Sequence, residues 1–215
     1  MISQHVQDAL VQVRELQQSI ADRLRFKGFS GPTRAISGTV ALVIAGVMST
    51  PIFPAETEAH LVGWAVVFAV GFCLNAGALV HWFLRDPDVQ RNIHRLSPVI
   101  DVLAPIAVGG ILSAALILHG MHRYLFGTWM CMFGLMNLAS RHVLPRSITL
   151  VGLFYIVCGG AWLLAPRVTF LNPWPMGLVF FAGEWVGALI LYMDDRRYGE
   201  ERMLIARKRE QDENA

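Results

Sequence analysis

Uncharged apolar runs alternate with short polar segments along most of the chain. Five runs contain no Asp, Glu, Lys or Arg, and a sixth contains a single carboxylate, Glu184. The runs are residues 35–55, 61–84, 102–118, 124–140, 147–166 and 168–193. Each is close to the roughly 20 residues with which a helix crosses about 30 Å of hydrocarbon, where only helices and closed barrels satisfy their own backbone polar groups. The pattern predicts an all-α polytopic membrane protein, a bundle of six transmembrane helices.

The composition supports this class of protein. Hydrophobic residues make up 54% of the 215 positions and charged residues only 16%, and the mean hydropathy is +0.47. Soluble domains average about 25% charged residues, and the segments between the runs are too short for a separate soluble catalytic domain. The formal net charge of +2 at pH 7 gives no support to a nucleic-acid partner. The predicted partner is the lipid bilayer.

The basic residues predict the orientation of the bundle. If the amino terminus is cytoplasmic, 16 of the 18 Lys and Arg residues lie in cytoplasmic segments, and only Arg123 and Arg167 lie outside. Cytoplasmic loops of membrane proteins carry such an excess of basic residues. The sequence therefore predicts a multi-pass protein with both termini in the cytoplasm.

Three regions follow from this pattern. Residues 1–33 are a cytoplasmic amphipathic helix and linker, residues 34–193 the six-helix transmembrane domain, and residues 194–215 a charged cytoplasmic tail that continues the last helix. Apolar positions within residues 1–26 are spaced three and four apart, at Val6, Ala9, Val13, Leu16 and Ile20. This spacing is typical of a coiled-coil seam that binds a second copy or another protein. A helix lying on the bilayer surface is the competing interpretation.

Glu184 is the most informative residue, because a carboxylate near the bilayer centre costs roughly 2.5–3.5 kcal/mol and is usually partnered or functional. Asn75 and Asn137 lie at similar depth, about 14–18 Å from the next basic residue at 1.5 Å per residue. We expect these three side chains to meet, with Trp185 beside the acid. No Lys or Arg is predicted within a run, so burial favours the protonated form of Glu184 unless water or a cation reaches it. Asp101 is expected in the first turn of the third helix, as a dipole-stabilised cap or a cytoplasmic gate.

Three interpretations of this cluster remain open. It could bind a polar ligand or relay a proton, or it could only join helices through hydrogen bonds, with Gly183 and Gly187 forming a GxxxG contact. A catalytic role is the third. The runs contain no nucleophile with a base and an orienting group, no phosphate-binding glycine loop and no HExxH helix. We therefore assign no catalytic residue and expect no cofactor.

Histidines offer two alternative sites. His81 and His142 each stand four residues before an arginine in the second and fourth helical segments, the minimum geometry for two axial ligands of a haem between helices. On the outer side, a zinc ion could be bound by imidazole and carboxylate groups. The candidate zinc ligands are His60, His119 and His122, with Glu56 and Glu58.

Two stretches carry a resemblance to other proteins. They are LQQSIADRLRFKGFSGPTRAISG, leading into the first run, and FGLMNLASRHVLPRSITLVGLFYIVCGG, joining the fourth and fifth. With these stretches the chain resembles a group of uncharacterised bacterial six-span proteins, over about Leu16 to Met193. The resemblance implies a bacterial inner-membrane location and carries no assigned activity.

The sequence favours a small-solute or proton-linked transporter, or a ligand sensor, that uses the intramembrane polar cluster around Glu184. A structural or regulatory membrane subunit that recruits a partner through residues 1–26 is the alternative. A haem-binding electron carrier is a further alternative.

Overall fold

A computed structural model of the chain describes residues 30–85, 97–142 and 144–213, and for residues 97–101, 142, 201–202 and 205–213 it describes the backbone alone. These residues form six α-helices and two short 3-10 helices, with no strand among them. The α-helices are α1 Gly31–Met48, α2 Thr57–Arg85, α3 Ser97–Leu118, α4 Leu125–Ala139, α5 Ile148–Leu164 and α6 Trp174–Glu213, and the 3-10 helices are His122–Tyr124 and Ser140–His142. The all-α prediction is confirmed. The amphipathic helix predicted over residues 1–26 lies outside the described residues.

Three of these helices are long and apolar enough to cross a membrane by length and composition. They are α1, α2 and the Trp174–Glu200 part of α6. Shorter apolar helical segments cover Val102–Leu118 in α3 and Ile148–Leu164 in α5. The structure is thus consistent with a membrane protein, and the bundle of six spans stays a prediction.

The first helix begins and ends earlier than the first apolar run. It starts four residues before the run, with Pro32 in the first turn, where proline is favoured. It ends seven residues before the end of the run, because the Ser49 hydroxyl donates to the Ala45 carbonyl (2.8 Å) and Pro51 has no N–H to continue the helix. As a consequence Arg34, which the charge pattern assigns to a cytoplasmic segment, lies in the first turn of α1 and is buried.

The last helix is longer than its apolar run. It is 40 residues long, so the charged tail continues the last helix as predicted. At its start, the Asn172 Oδ1 atom accepts a hydrogen bond from the Trp174 N–H (3.3 Å), and Pro175 follows in the first turn. The sixth run therefore becomes helical only after this turn.

The most extensive helix contact joins α1 to α6, the first and last helices of the fold. Small residues seven positions apart on α1, Gly31, Gly38 and Ala45, face α6. A Cβ atom added to Gly38 would lie 2.8 Å from the Glu184 Cβ, and one added to Gly31 would lie 3.1 Å from the Ala188 carbonyl oxygen. The two helices are therefore antiparallel, and the small residues let them approach closely.

A second antiparallel pair, α4 with α5, also packs closely through small residues. A Cβ atom on Gly127 would lie 2.8 Å from the Gly159 carbonyl oxygen, and one on Gly134 would lie 2.7 Å from the Gly152 carbonyl oxygen. These glycines are also seven positions apart on each helix. The two pairs meet where α5 packs on α6, through the Tyr155 and Phe180 rings, whose centroids are 5.2 Å apart. Helix α3 packs on α4, and α2 on α1.

Candidate functional site: a buried polar network between four helices

Arg34 and Glu184 form an ion pair inside the fold. The guanidinium Nε donates to the Glu184 Oε2 atom (3.0 Å), and Nη2 donates to Oε1 (2.8 Å). Arg34 is 7% exposed and Glu184 is 5% exposed. Two parallel hydrogen bonds of this kind are the strong, geometrically specific form of an arginine–carboxylate contact. They bind α1 to α6.

Two further buried side chains complete the network. The Tyr155 hydroxyl, on α5, donates to the Glu184 Oε1 atom (3.1 Å) and lies 3.4 Å from the Phe180 carbonyl oxygen. The second N–H of the Arg34 Nη2 atom donates to the Asn137 Oδ1 atom on α4 (3.0 Å). The four side chains Arg34, Asn137, Tyr155 and Glu184, called here the Arg34 network, come from four different helices.

Two glycines on α6 make room for this network. A Cβ atom on Gly183 would overlap the Tyr155 ring, and one on Gly187 would lie 2.7–2.9 Å from the Arg34 guanidinium. The sequence predicts that Gly183 and Gly187 bring two helix backbones into contact through a GxxxG motif. In the fold these glycines instead face side chains, Tyr155 of α5 and Arg34 of α1. The Arg34 network is packed against backbone on this side, which leaves no space there for a ligand.

Glu184 lies opposite the middle of α1, and Arg34 reaches it from the first turn of that helix. Gly38, which faces the Glu184 Cβ, is the eighth of the 18 residues of α1. A charge at this depth is surrounded by apolar side chains of low polarity, so it needs a direct partner. Arg34 supplies that partner, and the pair as a whole carries no net charge.

Most hydrogen-bonding groups of the network are paired within it, whereas the Arg34 Nη1 atom has no hydrogen-bond partner among the described residues. Both Glu184 oxygens accept hydrogen bonds from within it, and the Asn137 Nδ2 atom donates to the Phe133 carbonyl (2.9 Å). Among the described residues, no fully buried side-chain atom without a hydrogen-bond partner belongs to the network. A ligand could bind the Glu184 carboxylate only by displacing one of these partners. The arrangement therefore acts first as a connection between four helices.

The structure brings some of the predicted site residues together and separates others. Glu184 and Asn137 share Arg34 as a donor. Asn75 is half-buried, and its Nδ2 atom donates to the Gly71 carbonyl of its own helix (2.8 Å). Trp185 is 48% exposed, and its indole N–H donates to the Thr39 hydroxyl on α1 (3.1 Å). Neither Asn75 nor Trp185 takes part in the Arg34 network.

Two members of the network are not among the predicted site residues. Arg34 immediately precedes the first uncharged run, so the charge pattern counts it among the cytoplasmic basic residues, although it is the first residue of the predicted transmembrane domain. Pro32 is the signal that could have included it, because proline favours the first helical turn. Tyr155 carries the only phenol in the fifth run, a weaker signal. The expectation that no base lies near Glu184 is wrong, because Arg34 is the cation that reaches it.

Asp101 lies on α3, as its fifth described residue counted from Ser97. The side chain of Asp101 is outside the described part of the chain. Its roles as a cap or a gate stay predictions.

The histidines do not assemble into the predicted zinc site. Within residues 30–85, 97–142 and 144–213, no three His, Cys, Asp or Glu side chains that the structure describes come close enough to hold a metal ion. His60 is buried, with its Nδ1 atom 3.0 Å from the Glu56 carbonyl oxygen. His119 is exposed just after α3, and the His122 ring packs against Phe170, with centroids 6.3 Å apart.

The two proposed haem ligands also occupy different settings. His81 is exposed and lines a groove between α1 and α2. His142 belongs to a 3-10 helix that follows α4, and its side chain is not described. Since the main packing of α2 is on α1, the structure adds no support for a haem between α2 and α4.

Comparison of the chain with protein-family models, with curated proteins and with solved structures finds no match. Inferences about function therefore rest on the geometry of the chain itself.

Proposed function

We propose that this chain is a six-span integral membrane protein of a bacterial inner membrane, with both termini in the cytoplasm and a structural or regulatory role. In this proposal α1 to α6 are the six spans. The distribution of basic residues supports the orientation, and the length and apolar character of α1, α2 and α6 support the membrane location.

The shorter helices are compatible with this topology. Helix α4 has 15 residues, and the 3-10 helices before and after it extend the helical segment from His122 to His142. At about 1.5–2.0 Å per residue, this segment approaches the thickness of the hydrocarbon layer. Helices α3 and α5 have 22 and 17 residues.

The pairing of Glu184 within the Arg34 network carries the choice of a structural role. A carrier presents unsatisfied polar groups to a cavity that opens to each side of the membrane. Here both carboxylate oxygens accept hydrogen bonds from Arg34, Oε1 also accepts one from Tyr155, and Gly183 and Gly187 hold the ring and the guanidinium against backbone. The network therefore connects the α1–α6 pair to the α4–α5 pair and keeps both in register.

The regulatory part of the proposal concerns residues 1–26. Their apolar seam is predicted to bind a second copy or another protein. We expect Val13→Asp, on the seam, to abolish cross-linked partners of the full-length protein in native membranes. Gln18→Asp, on the face of the same predicted helix opposite the seam, adds the same charge and is expected to leave the cross-links intact. Retention of all cross-links in Val13→Asp contradicts the proposal.

A transporter or ligand sensor is the second candidate function. The observation that favours it is the ion pair itself, because apolar side chains of similar volume often pack at lower cost than a buried pair. Proteoliposomes that hold an imposed pH gradient and a pH-sensitive dye distinguish the two proposals. The structural role predicts that the wild-type protein leaves the decay of the gradient as slow as in protein-free vesicles. A faster decay that Glu184→Gln removes supports proton-linked transport instead.

A further inference from the structure

An open groove of about 560 Å³ separates the start of α1 from the end of α2. Ser30 and Thr33 line it on one side, and His81, Trp82 and Arg85 line it on the other, with two small residues, Gly77 and Ala78, at its floor. No acidic side chain is among these lining residues. The exposed lining of the groove is mostly apolar, and His81 and Arg85 are its basic groups.

The basic side chains of the groove are available for a ligand. His81 and Arg85 are one helical turn apart on α2, so they share a face, and both are exposed. The described part of the chain contains no ion pair or hydrogen bond to either side chain. The Thr33 hydroxyl donates to the Ser30 carbonyl (2.8 Å), whereas the Ser30 hydroxyl makes no capping hydrogen bond and can donate to a ligand.

The surroundings of the groove match the surface of a bilayer. Val80 and Leu84, adjacent in sequence to the basic pair, are 54% and 63% exposed. Trp82 is a residue type enriched where hydrocarbon meets headgroups. In the proposed topology this end of α1 and α2 faces the cytoplasm. Basic pockets between helices on that side of a membrane are typical sites for anionic headgroups.

We propose that this groove binds the phosphate group of an acidic phospholipid. The planar Arg85 guanidinium suits two parallel hydrogen bonds to phosphate oxygens, with His81 and the Ser30 hydroxyl as further donors. The acyl chains would lie along the exposed apolar side chains of α2. This inference rests on the membrane location that is part of the proposed function.

Lipid titration of the purified full-length protein tests the proposal. Native mass spectrometry in detergent measures the binding of phosphatidylglycerol, with phosphatidylcholine as the neutral lipid and inorganic phosphate as the lipid-free anion. The variants are Arg85→Gln and His81→Gln. Arg146→Gln is the matched control, since Arg146 is an exposed arginine that lies on the same predicted cytoplasmic side and does not line the groove.

We expect phosphatidylglycerol to bind more tightly than phosphatidylcholine, and Arg85→Gln to weaken that binding about fivefold or more. The Arg146→Gln control is expected to bind as the wild type does. Equal binding of both lipids, or an equal loss in Arg85→Gln and Arg146→Gln, overturns the lipid site. Competition by inorganic phosphate at concentrations similar to the lipid assigns the groove to a free anion and also overturns it. Failure of the protein to enter membranes at all would instead contradict the proposed function.

Discussion

The Arg34 guanidinium donates two hydrogen bonds to the Glu184 carboxylate across 150 positions of the chain. The contact joins the first helix to the last. Apolar packing alone tolerates a helix sliding or rotating by a residue, but a bidentate pair forms in one register only. We infer that the pair specifies how α1 lies against α6 more than it adds to stability.

Removing one partner of this pair leaves the other charge buried. We expect Glu184→Ala to lower the free energy of unfolding by about 3–5 kcal/mol, because Arg34 then lacks its carboxylate in an apolar setting. Equilibrium unfolding in mixed micelles measures the change. Glu200→Ala, at an exposed position of the same helix, is the control and is expected to have an effect below about 0.5 kcal/mol. If Glu184→Ala is as stable as the wild type, Arg34 and Glu184 do not form a buried ion pair.

Replacing both partners by apolar residues gives the opposite expectation. The double variant Arg34→Met with Glu184→Leu removes both charges together, so neither is left uncompensated. We expect its stability to lie within about 1–2 kcal/mol of the wild type, or above it. Together with the single variants Arg34→Met and Glu184→Leu, the double variant completes a double-mutant cycle. If the double variant is as unstable as the single variant Glu184→Leu, the ion pair stabilises the fold and does not only fix the register of α1 against α6.

Tyr155 is expected to contribute less than the charges. Tyr155→Phe removes the hydrogen bond to the Glu184 Oε1 atom (3.1 Å) but keeps the ring in the space at Gly183. We expect a loss of about 1–2 kcal/mol, because the carboxylate retains both hydrogen bonds from Arg34. Tyr192→Phe, at a 58% exposed position, serves as the control in the same unfolding measurement. If Tyr155→Phe loses as much stability as Glu184→Ala, the expectation that Tyr155 contributes less than the charges is wrong.

The glycine contact between α4 and α5 can be tested with two alanine substitutions. In Gly134→Ala the new Cβ atom would lie 2.7 Å from the Gly152 carbonyl oxygen, so the backbones must separate. We expect a loss of about 1–3 kcal/mol. Gly160→Ala, on α5, meets nothing within 4 Å and is expected to be neutral or to stabilise by up to about 1 kcal/mol. Equal effects of the two substitutions would contradict the observed helix spacing.

The orientation can be tested by cysteine labelling in intact cells. In a background with Cys73, Cys131 and Cys158 replaced by alanine, Arg167→Cys is expected to react with a membrane-impermeant maleimide, because the outer segments carry few basic residues. Arg146→Cys is expected to react only after the membrane is permeabilised. Both residues are exposed in the fold, so a difference reports the membrane and not burial. The reverse result inverts the topology.

The helical segments can be predicted from the local pattern of apolar and charged residues, but their exact limits only in part. Helices α4 and α5 lie within the fourth and fifth apolar runs, residues 124–140 and 147–166, as the sequence predicts. Helix α1 does not coincide with its uncharged run. It includes Arg34, which precedes the run, because a charge that is paired with Glu184 can be buried in a helix. The hydroxyl groups and prolines after Met48 decide where it ends.

The candidate site is only half predictable. A lone carboxylate in an apolar run identifies Glu184, since an isolated charge in such a setting requires a partner. The expected partner Asn75 instead donates to a carbonyl of its own helix (2.8 Å). Such local hydrogen bonds compete with contacts between helices, and spacing along the chain does not reveal which one forms.

By itself the sequence determined the helical class, the approximate limits of the helices and the presence of a polar group that has to be accommodated, because hydrophobic length and charge are local properties. Only the tertiary structure decided that α1 packs on α6, that Arg34 reaches Glu184, and that Tyr155 occupies the space at Gly183. These contacts depend on which helices approach within hydrogen-bond distance. That choice arises from the packing of small residues across the whole fold, and one stretch of sequence does not contain it.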